Sequence, residues 1–317
     1  MRKIKIGIVG YGNLGKAVEK LSLLDDSVEL VAIFSHRDIV SDFGIKSEYI
    51  YNINNYINKI NILVMCGGSY QDIPKETINI LKNFNVINSF DTHKRIFTEI
   101  RKANKVAKQN KKIALYSFGW DPGLFSFMRA LMFGVSQTQP HTTWGKGVSM
   151  GHSNAIKAID GVKFARAYTV PIKRSITNMK MNKSDTLELK RECYVVKKPQ
   201  SDCKKIATEI ANNKTYFGDC KLKIKFISEK NFKARHNKLF HEGEVFDNFE
   251  LFGEKFEMSF KVKMTSNALF TAKILLLYAK GLNKIKKFYG SGAYTILEIP
   301  ISKVLNLTKK EIIKNYC

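Results

Sequence analysis

The stretch from Lys3 to Gly15 constrains this chain more than any other. It joins an apolar run (Ile4, Ile6, Ile8, Val9) to Gly10-Tyr11-Gly12-Asn13-Leu14-Gly15, and an amphipathic segment from Leu14 to Leu24 follows. The run predicts a short strand and the later spacing a helix, so the glycines fall in the turn between them. A Gly-x-Gly-x-x-Gly in that setting is a dinucleotide fingerprint with a physical basis. Gly10 makes the tight turn, Gly12 lets a pyrophosphate approach the backbone, and Gly15 lets the helix pack close to the strand. The phosphates would meet helix N–H groups that lack intrahelical partners, at the positive end of the macrodipole. The expected cofactor contacts here are Gly10, Tyr11, Gly12, Asn13, Leu14 and Gly15.

The first ~118 residues continue to alternate strand and helix signals, which implies a parallel α/β sheet of the Rossmann kind. Val28 to Phe34 reads as the second strand, and its end decides cofactor preference. An NAD site places Asp or Glu there for the ribose 2′-hydroxyl, whereas a 2′-phosphate needs cations and donors. This chain offers Ser35-His36-Arg37. Arg37 can grip a phosphate through two parallel hydrogen bonds, with Ser35 and His36 as further donors, which favours NADP. Asn61 to Cys66 is a third strand, and Cys66-Gly67-Gly68-Ser69 after it should pass beside the cofactor. Two acids stand at later strand ends, where such sheets gather their functional groups. Asp91 follows Val86 to Phe90, and Asp121 follows Ile113 to Ser117 within Phe118-Gly-Trp-Asp-Pro-Gly123. The bland alternatives are a helix N-cap for Asp91 and an ordinary turn for Asp121.

A chain of 317 residues suggests about two domains. From about Gly145 the signals turn to scattered strands: Val162 to Val170, Glu192 to Val196, Leu222 to Ile227, and the clean alternation Phe256, Met258, Phe260, Val262, Met264. A further strand is expected over Tyr294 to Ile299, and Thr308-Lys-Lys-Glu311 has capping-box spacing. The expected organisation is therefore α/β: an N-terminal dinucleotide-binding domain over 1–118, and an α+β substrate and dimerisation region over 119–282 built on a β-sheet. The segment of about 283–317 can pack back onto the first domain.

Composition narrows the function. No apolar run is long enough to span a bilayer and no cleavable signal pattern opens the chain, so a cytoplasmic protein is expected. The five cysteines are widely spaced without a Cys-x-x-Cys pair, which reads as reduced thiols and no metal. A net charge of +25 invites a nucleic-acid partner. Against it, only nine of the 53 basic residues are arginine, the lysines are dispersed, and interleaved aromatic platforms are missing. A solvated lysine-rich surface is the better account, with neither nucleic acid nor membrane as partner.

At Trp120-Asp121-Pro122-Gly123 the chain resembles the meso-diaminopimelate dehydrogenase family. Motifs in order over nearly the full length carry the resemblance: Ile8 to Gly15, Phe34-Ser-His-Arg37, Cys66-Gly-Gly-Ser69, Asp72-Ile-Pro74, Phe90-Asp91-Thr-His93, Gly119 to Gly123, Trp144-Gly-x-Gly-x-Ser-Met-Gly-His-Ser153, Tyr168-Thr169-x-Pro171, Lys190-Arg-Glu-Cys193 and Ser291 to Glu298. The resemblance implies a homodimeric enzyme of lysine biosynthesis that oxidatively deaminates the D-centre of meso-2,6-diaminopimelate with NADP. Asp91 and Asp121 would then orient the amine and help its deprotonation. Arg191, with Thr169 and His241, would hold the distal carboxylate, and Asn267 the distal amino-acid end. Trp120 and Trp144 would wall the pocket, and backbone at Met150 and Gly151 would meet the D-centre carboxylate. The rival readings are a sibling reductase of the dihydrodipicolinate reductase or homoserine dehydrogenase kind, and a non-enzymatic NADP sensor or nucleic-acid-binding protein.

Overall fold

The computed structural model describes residues 3–68, 72–171, 189–218, 220–236 and 240–317. By contact the chain divides into two units, Met1–Leu131 with Ala268–Cys317, and Met132–Asn267. In the first unit β1 (Ile4–Val9), α1 (Asn13–Ser22), β2 (Val28–Ser35), β3 (Ser47–Tyr49), β4 (Ile62–Met65), α2 (Asp72–Ile80), β5 (Asn85–Asn88), α3 (Ile96–Gln109) and β6 (Ile113–Leu115) follow one another. Their strands stand in the order β6-β5-β4-β1-β2-β3, all parallel. The chain runs outward from β1 to β3, then crosses back to β4 on the other side of β1. That reversal puts a topological switch point at the carboxyl ends of β1 and β4, where such sheets bind ligands.

Strand alternation explains how the sheet is buried on both faces. Ile4, Ile6 and Ile8 enter one core with Val18, Val28, Ile62 and Val64. Val9, Leu63, Met65 and Phe34 enter the other with Ile73 and Ile80 of α2 and Ala103 and Ala107 of α3. α1 ends at Ser22 rather than at Leu24, and Leu23 and Leu24 are exposed. The N–H and hydroxyl of Ser27 both turn to Asp25 Oδ1, closing a local turn before β2.

The unit boundary falls inside α4 (Leu124–Ser136). The second unit continues through β7 (His141–Trp144), β8 (Gly147–Ser149), α5 (Met150–Lys157), β9 (Val162–Pro171), β10 (Leu189–Lys197), α6 (Cys203–Asn212), α7 (Lys214–Phe217), β11 (Lys221–Phe226), α8 (Glu229–Arg235), β12 (His241–Leu251) and β13 (Glu254–Met264). β8 to β11 form one sheet, and β7, β12 and β13 form a second, antiparallel one. Alternate residues of β9 and β10 (Ala165, Ala167, Cys193, Val195) pack on Ile156 of α5 and Ile206 and Ile210 of α6. Along β13 the alternating apolar set is buried only toward its end, at Val262 and Met264, while Phe256 is exposed.

The C-terminal segment completes the first unit with α9 (Asn267–Lys280), α10 (Leu282–Tyr289), β14 (Gly292–Tyr294) and α11 (Lys309–Tyr316). α9 buries Ala272, Leu275, Leu276 and Ala279 in the same core as Ile4, Ile6 and Ile8. By contact the second unit ends at Asn267, whereas the sequence reading ends that region at 282. β14 adds to the sheet edge parallel to β6. The strand expected to Ile299 stops at Tyr294, because Glu298 Oε2 accepts the Thr295 N–H at 2.7 Å and closes a turn. Thr308 and Glu311 form the expected capping box. Among the described residues no helix is long and apolar enough to cross a membrane.

Candidate functional site

In the first unit a cleft of about 420 Å³ opens at the switch point. Its walls are Gly10, Tyr11 and Gly12 after β1, Ser35 at the end of β2 with His36 and Arg37 after it, Cys66, Gly67 and Gly68 after β4, and the first turns of α2. Gly10 has φ +93°, and its N–H donates to the Phe34 carbonyl at 2.8 Å. A Cβ on Gly15 would lie 2.2 Å from the Gly10 carbonyl oxygen, whereas one on Gly12 would meet nothing within 4 Å. The two glycines thus have different tasks: one permits helix–strand packing, the other leaves room for a ligand. No side chain caps α1, and Leu14 packs on the core, so the N–H groups of the first turn, beside exposed Asn13, can be offered to a phosphate. Ser35 is buried and its Oγ accepts the Arg37 N–H at 3.1 Å, while Arg37 and His36 stand exposed at the rim. These features fit an NADP dinucleotide: an open N-terminal helix turn for pyrophosphate, and a hydroxyl, an imidazole and a guanidinium for a 2′-phosphate. Burial pushes the Cys66 thiol pKa up, so it lines the cleft as an inert neutral group. Ser69 lies outside the described residues.

Tyr11 is tied down behind this cleft. Its hydroxyl donates to buried Glu19 of α1 and accepts the Asp42 N–H at 2.7 Å. Burial and Glu19 push its pKa up to about 12, so the phenol stays protonated.

Further along the same sheet edge, Asp91 is exposed beyond β5, and Thr92 rather than Asp91 holds the N-cap position of the short helical turn after it, without a side-chain cap bond. The N-cap alternative for Asp91 therefore does not apply. Asp121 is a different kind of group, with a side chain 1% exposed and Oδ1 2.6 Å from an Arg129 amino group. Gly119 N–H donates to the Pro122 carbonyl and Leu124 N–H to the Gly119 carbonyl, both at 3.0 Å, so this turn folds back on itself into α4. Trp120 is buried edge-on to Phe125, with ring centroids 5.0 Å apart. Nothing in the sequence had singled out Arg129; its spacing places it on the second turn of α4, a weak signal for an acid's partner.

In the second unit, register rather than sequence proximity gathers the expected residues. Gly147 of β8 pairs with Thr169 of β9, which pairs with Arg191 of β10, so the three stand in line across the sheet. An Arg191 amino group donates to Thr169 Oγ1. Burial lowers the Arg191 guanidinium pKa from its ordinary value. His241, at the start of β12, lays its ring over Gly147, where a Cβ would come within 2.4 Å of Nδ1. Burial also holds the His241 pKa below its ordinary value. Trp144 is half-buried at the end of β7, beside Gly243 of β12. Met150 and Gly151 open α5, and Asn267 opens α9.

A further pair at α5 escaped the sequence reading. Ser149 is the N-cap of α5, yet its side chain makes no cap bond; instead Oγ lies 2.7 Å from His152 Nδ1. The His152 ring packs edge-on to Tyr216 and Phe217. Burial, helped by the charge of Arg191, pushes its pKa down to about 4, so the ring is neutral near pH 7. With the cap hydroxyl occupied, the opening N–H groups of α5 remain available to an anion. The Gly-His-Ser run was visible in the sequence; the diversion of Ser149 was not.

The meso-diaminopimelate D-dehydrogenase of Ureibacillus thermosphaericus is 37% identical over 311 residues, which cover 95% of each chain. The chain belongs to the meso-diaminopimelate dehydrogenase family. A family model described as the diaminopimelic acid dehydrogenase C-terminal domain matches residues 119–266. Among solved structures, a substituted meso-diaminopimelate dehydrogenase of Clostridium tetani E88 with DAP is 36% identical, with a TM-score of 0.91 over 99% of this chain and 100% of that one. An engineered D-amino acid dehydrogenase bound to NADP+ is 28% identical, with a TM-score of 0.88 over the same shares. Diaminopimelate dehydrogenases thus share both the sheet that carries the cleft and the sheet that aligns Thr169 with Arg191.

Proposed function

We propose that this chain oxidatively deaminates the D-centre of meso-2,6-diaminopimelate with NADP, releasing L-2-amino-6-oxopimelate, ammonia and NADPH. The observation that carries the reading is family membership over 95% of the chain, joined to a cleft fitted for a 2′-phosphorylated dinucleotide. In reverse the reaction is a step of lysine biosynthesis.

A hydride leaves Cα only when the nitrogen lone pair can follow, so the ammonium must first lose a proton. Asp91 and Asp121 orient that amine and assist its deprotonation, directly or through a water. Their charge then stabilises the positive iminium that develops, which water attacks. NADP, when bound, supplies the hydride acceptor. In the second unit Arg191 binds the distal carboxylate with two parallel hydrogen bonds, supported by Thr169 and His241, and Asn267 meets the distal amino-acid end. Backbone N–H groups at Met150 and Gly151 receive the D-centre carboxylate. Trp120 and Trp144 wall the substrate and exclude water. The enzyme acts as a cytoplasmic homodimer.

The test is NADP reduction with meso-diaminopimelate beside its L,L and D,D isomers. Turnover of the meso form with the L,L form silent is the expected result. Silence with all three, from a protein that still binds NADPH, would replace this reading with a sibling reductase or a sensor.

A further inference from the structure

Two acidic side chains line the cofactor cleft, Asp72 and Glu76. Asp72, the first residue of α2, accepts the Gly68 N–H at 2.8 Å. Glu76, one turn further along α2, reaches toward the end of β2 instead, with Oε1 3.3 Å from His36 Nε2. Its side chain is 14% exposed, against 61% for His36. A carboxylate in a site for a ligand that carries a pyrophosphate and a 2′-phosphate adds repulsion unless it meets a donor.

The cleft bounds where that donor can be. The pyrophosphate belongs at Gly10 to Gly12 and the start of α1, and the 2′-phosphate at Ser35, His36 and Arg37. Adenine is bonded to the same ribose, so it must enter the remaining part of the cleft, lined by Ile50 and by Ile73 and Glu76 of α2. The two isoleucines offer apolar surface for a planar base. The edge of that base carries ring-nitrogen acceptors and a single donor group, the exocyclic 6-amino group.

We propose that Glu76 reads the adenine base by accepting a hydrogen bond from its 6-amino group. His36, released from Glu76 as the dinucleotide enters, then turns to the 2′-phosphate. This inference rests on the assignment of the cleft to NADP.

The experiment compares both Kd, from equilibrium titration of the protein's tryptophan fluorescence, and kcat/KM for NADP and for nicotinamide hypoxanthine dinucleotide phosphate, whose base carries a carbonyl oxygen where adenine carries the amine. The wild type should favour adenine roughly tenfold to a hundredfold, because its carboxylate would face an acceptor. In Glu76→Gln the amide can turn its NH₂ toward that oxygen, so the ratio should fall close to one; Glu76→Ala should also lose the preference. Arg37→Ala should weaken both dinucleotides and leave the base ratio unchanged. Because each ratio is taken within one protein, partial loss of folded enzyme cancels from it. Equal use of both dinucleotides by the wild type overturns the inference. So does an unchanged ratio in Glu76→Gln, the result expected if Glu76 instead bound the ribose 3′-hydroxyl. Failure of the wild type to reduce either dinucleotide would overturn the NADP assignment itself and this inference with it.

Discussion

At Arg37 the backbone N–H is held by Ser35 Oγ, which leaves the guanidinium exposed at the cleft rim to meet a 2′-phosphate. Arg37→Ala should raise KM for NADP by roughly tenfold to a hundredfold, the value of a charge-assisted contact, and leave KM for NAD nearly unchanged. Equal effects on the two cofactors would remove the 2′-phosphate role. Asp121 works under different constraints, because its buried carboxylate is tied to Arg129. Asp121→Asn should cut kcat on the order of a hundredfold or more while NADPH binding persists. It should also lower the melting temperature, since Arg129 loses a charged partner. Full turnover in that variant would end the carboxylate argument. His152 carries a pH dependence of stability. Its folded pKa of about 4 lies below the ordinary 6.5, so between those values the unfolded chain takes up a proton that the fold refuses. The contribution is complete above pH 6.5 and is lost as pH falls toward 4. Urea midpoints for wild type and His152→Asn, measured at pH 7 and again near the lower end, should differ in how far they drop, with the variant dropping less.

Among the elements, the turn between β1 and α1 separates two kinds of glycine that the fingerprint writes identically. Gly15→Ala would drive a methyl into the Gly10 carbonyl oxygen, 2.2 Å from the ideal Cβ, and should cost about 1–3 kcal/mol of stability as α1 shifts off the sheet. Gly12→Ala meets nothing in the fold, so its melting temperature should stay near wild type while NADPH affinity falls, because the methyl occupies pyrophosphate space. A cofactor titration beside a thermal melt reads both. If the two variants lost stability alike, this division of labour would be wrong. The strand signals show a similar split. Apolar alternation marked β13 well, yet only its last residues are buried, since burial depends on what covers a sheet face and not on the strand's own pattern.

For the whole molecule, a net charge of +25 opposes self-association, so a dimer must place apolar surface at its interface. The hairpin of β12 and β13 exposes Leu251, Phe252 and Phe256, which favours the second unit for that role. Sedimentation at moderate salt should return twice the mass of one chain, and Phe256→Asp with Leu251→Asp should shift it toward monomer. A wild-type monomer would count against the dimer.

Period and turn chemistry in the sequence were enough to locate β1, the fingerprint turn, the basic end of β2 and the alternation of an α/β sheet, because each depends on neighbours a few residues away. The specific runs Trp120 to Gly123 and Trp144 to Ser153 sufficed for the family. Tertiary structure alone decided the long-range facts. The register of three strands lines Gly147, Thr169 and Arg191 across one sheet. Burial pairs Asp121 with Arg129, and α9 returns to pack on β1. Packing diverts Ser149 to His152, and two separate elements bring Glu76 to His36. Apart from the local pairs Ser149–His152 and Asp121–Arg129, these contacts join residues whose separation along the chain carries no period, and only the free energy of packing a common core selects them.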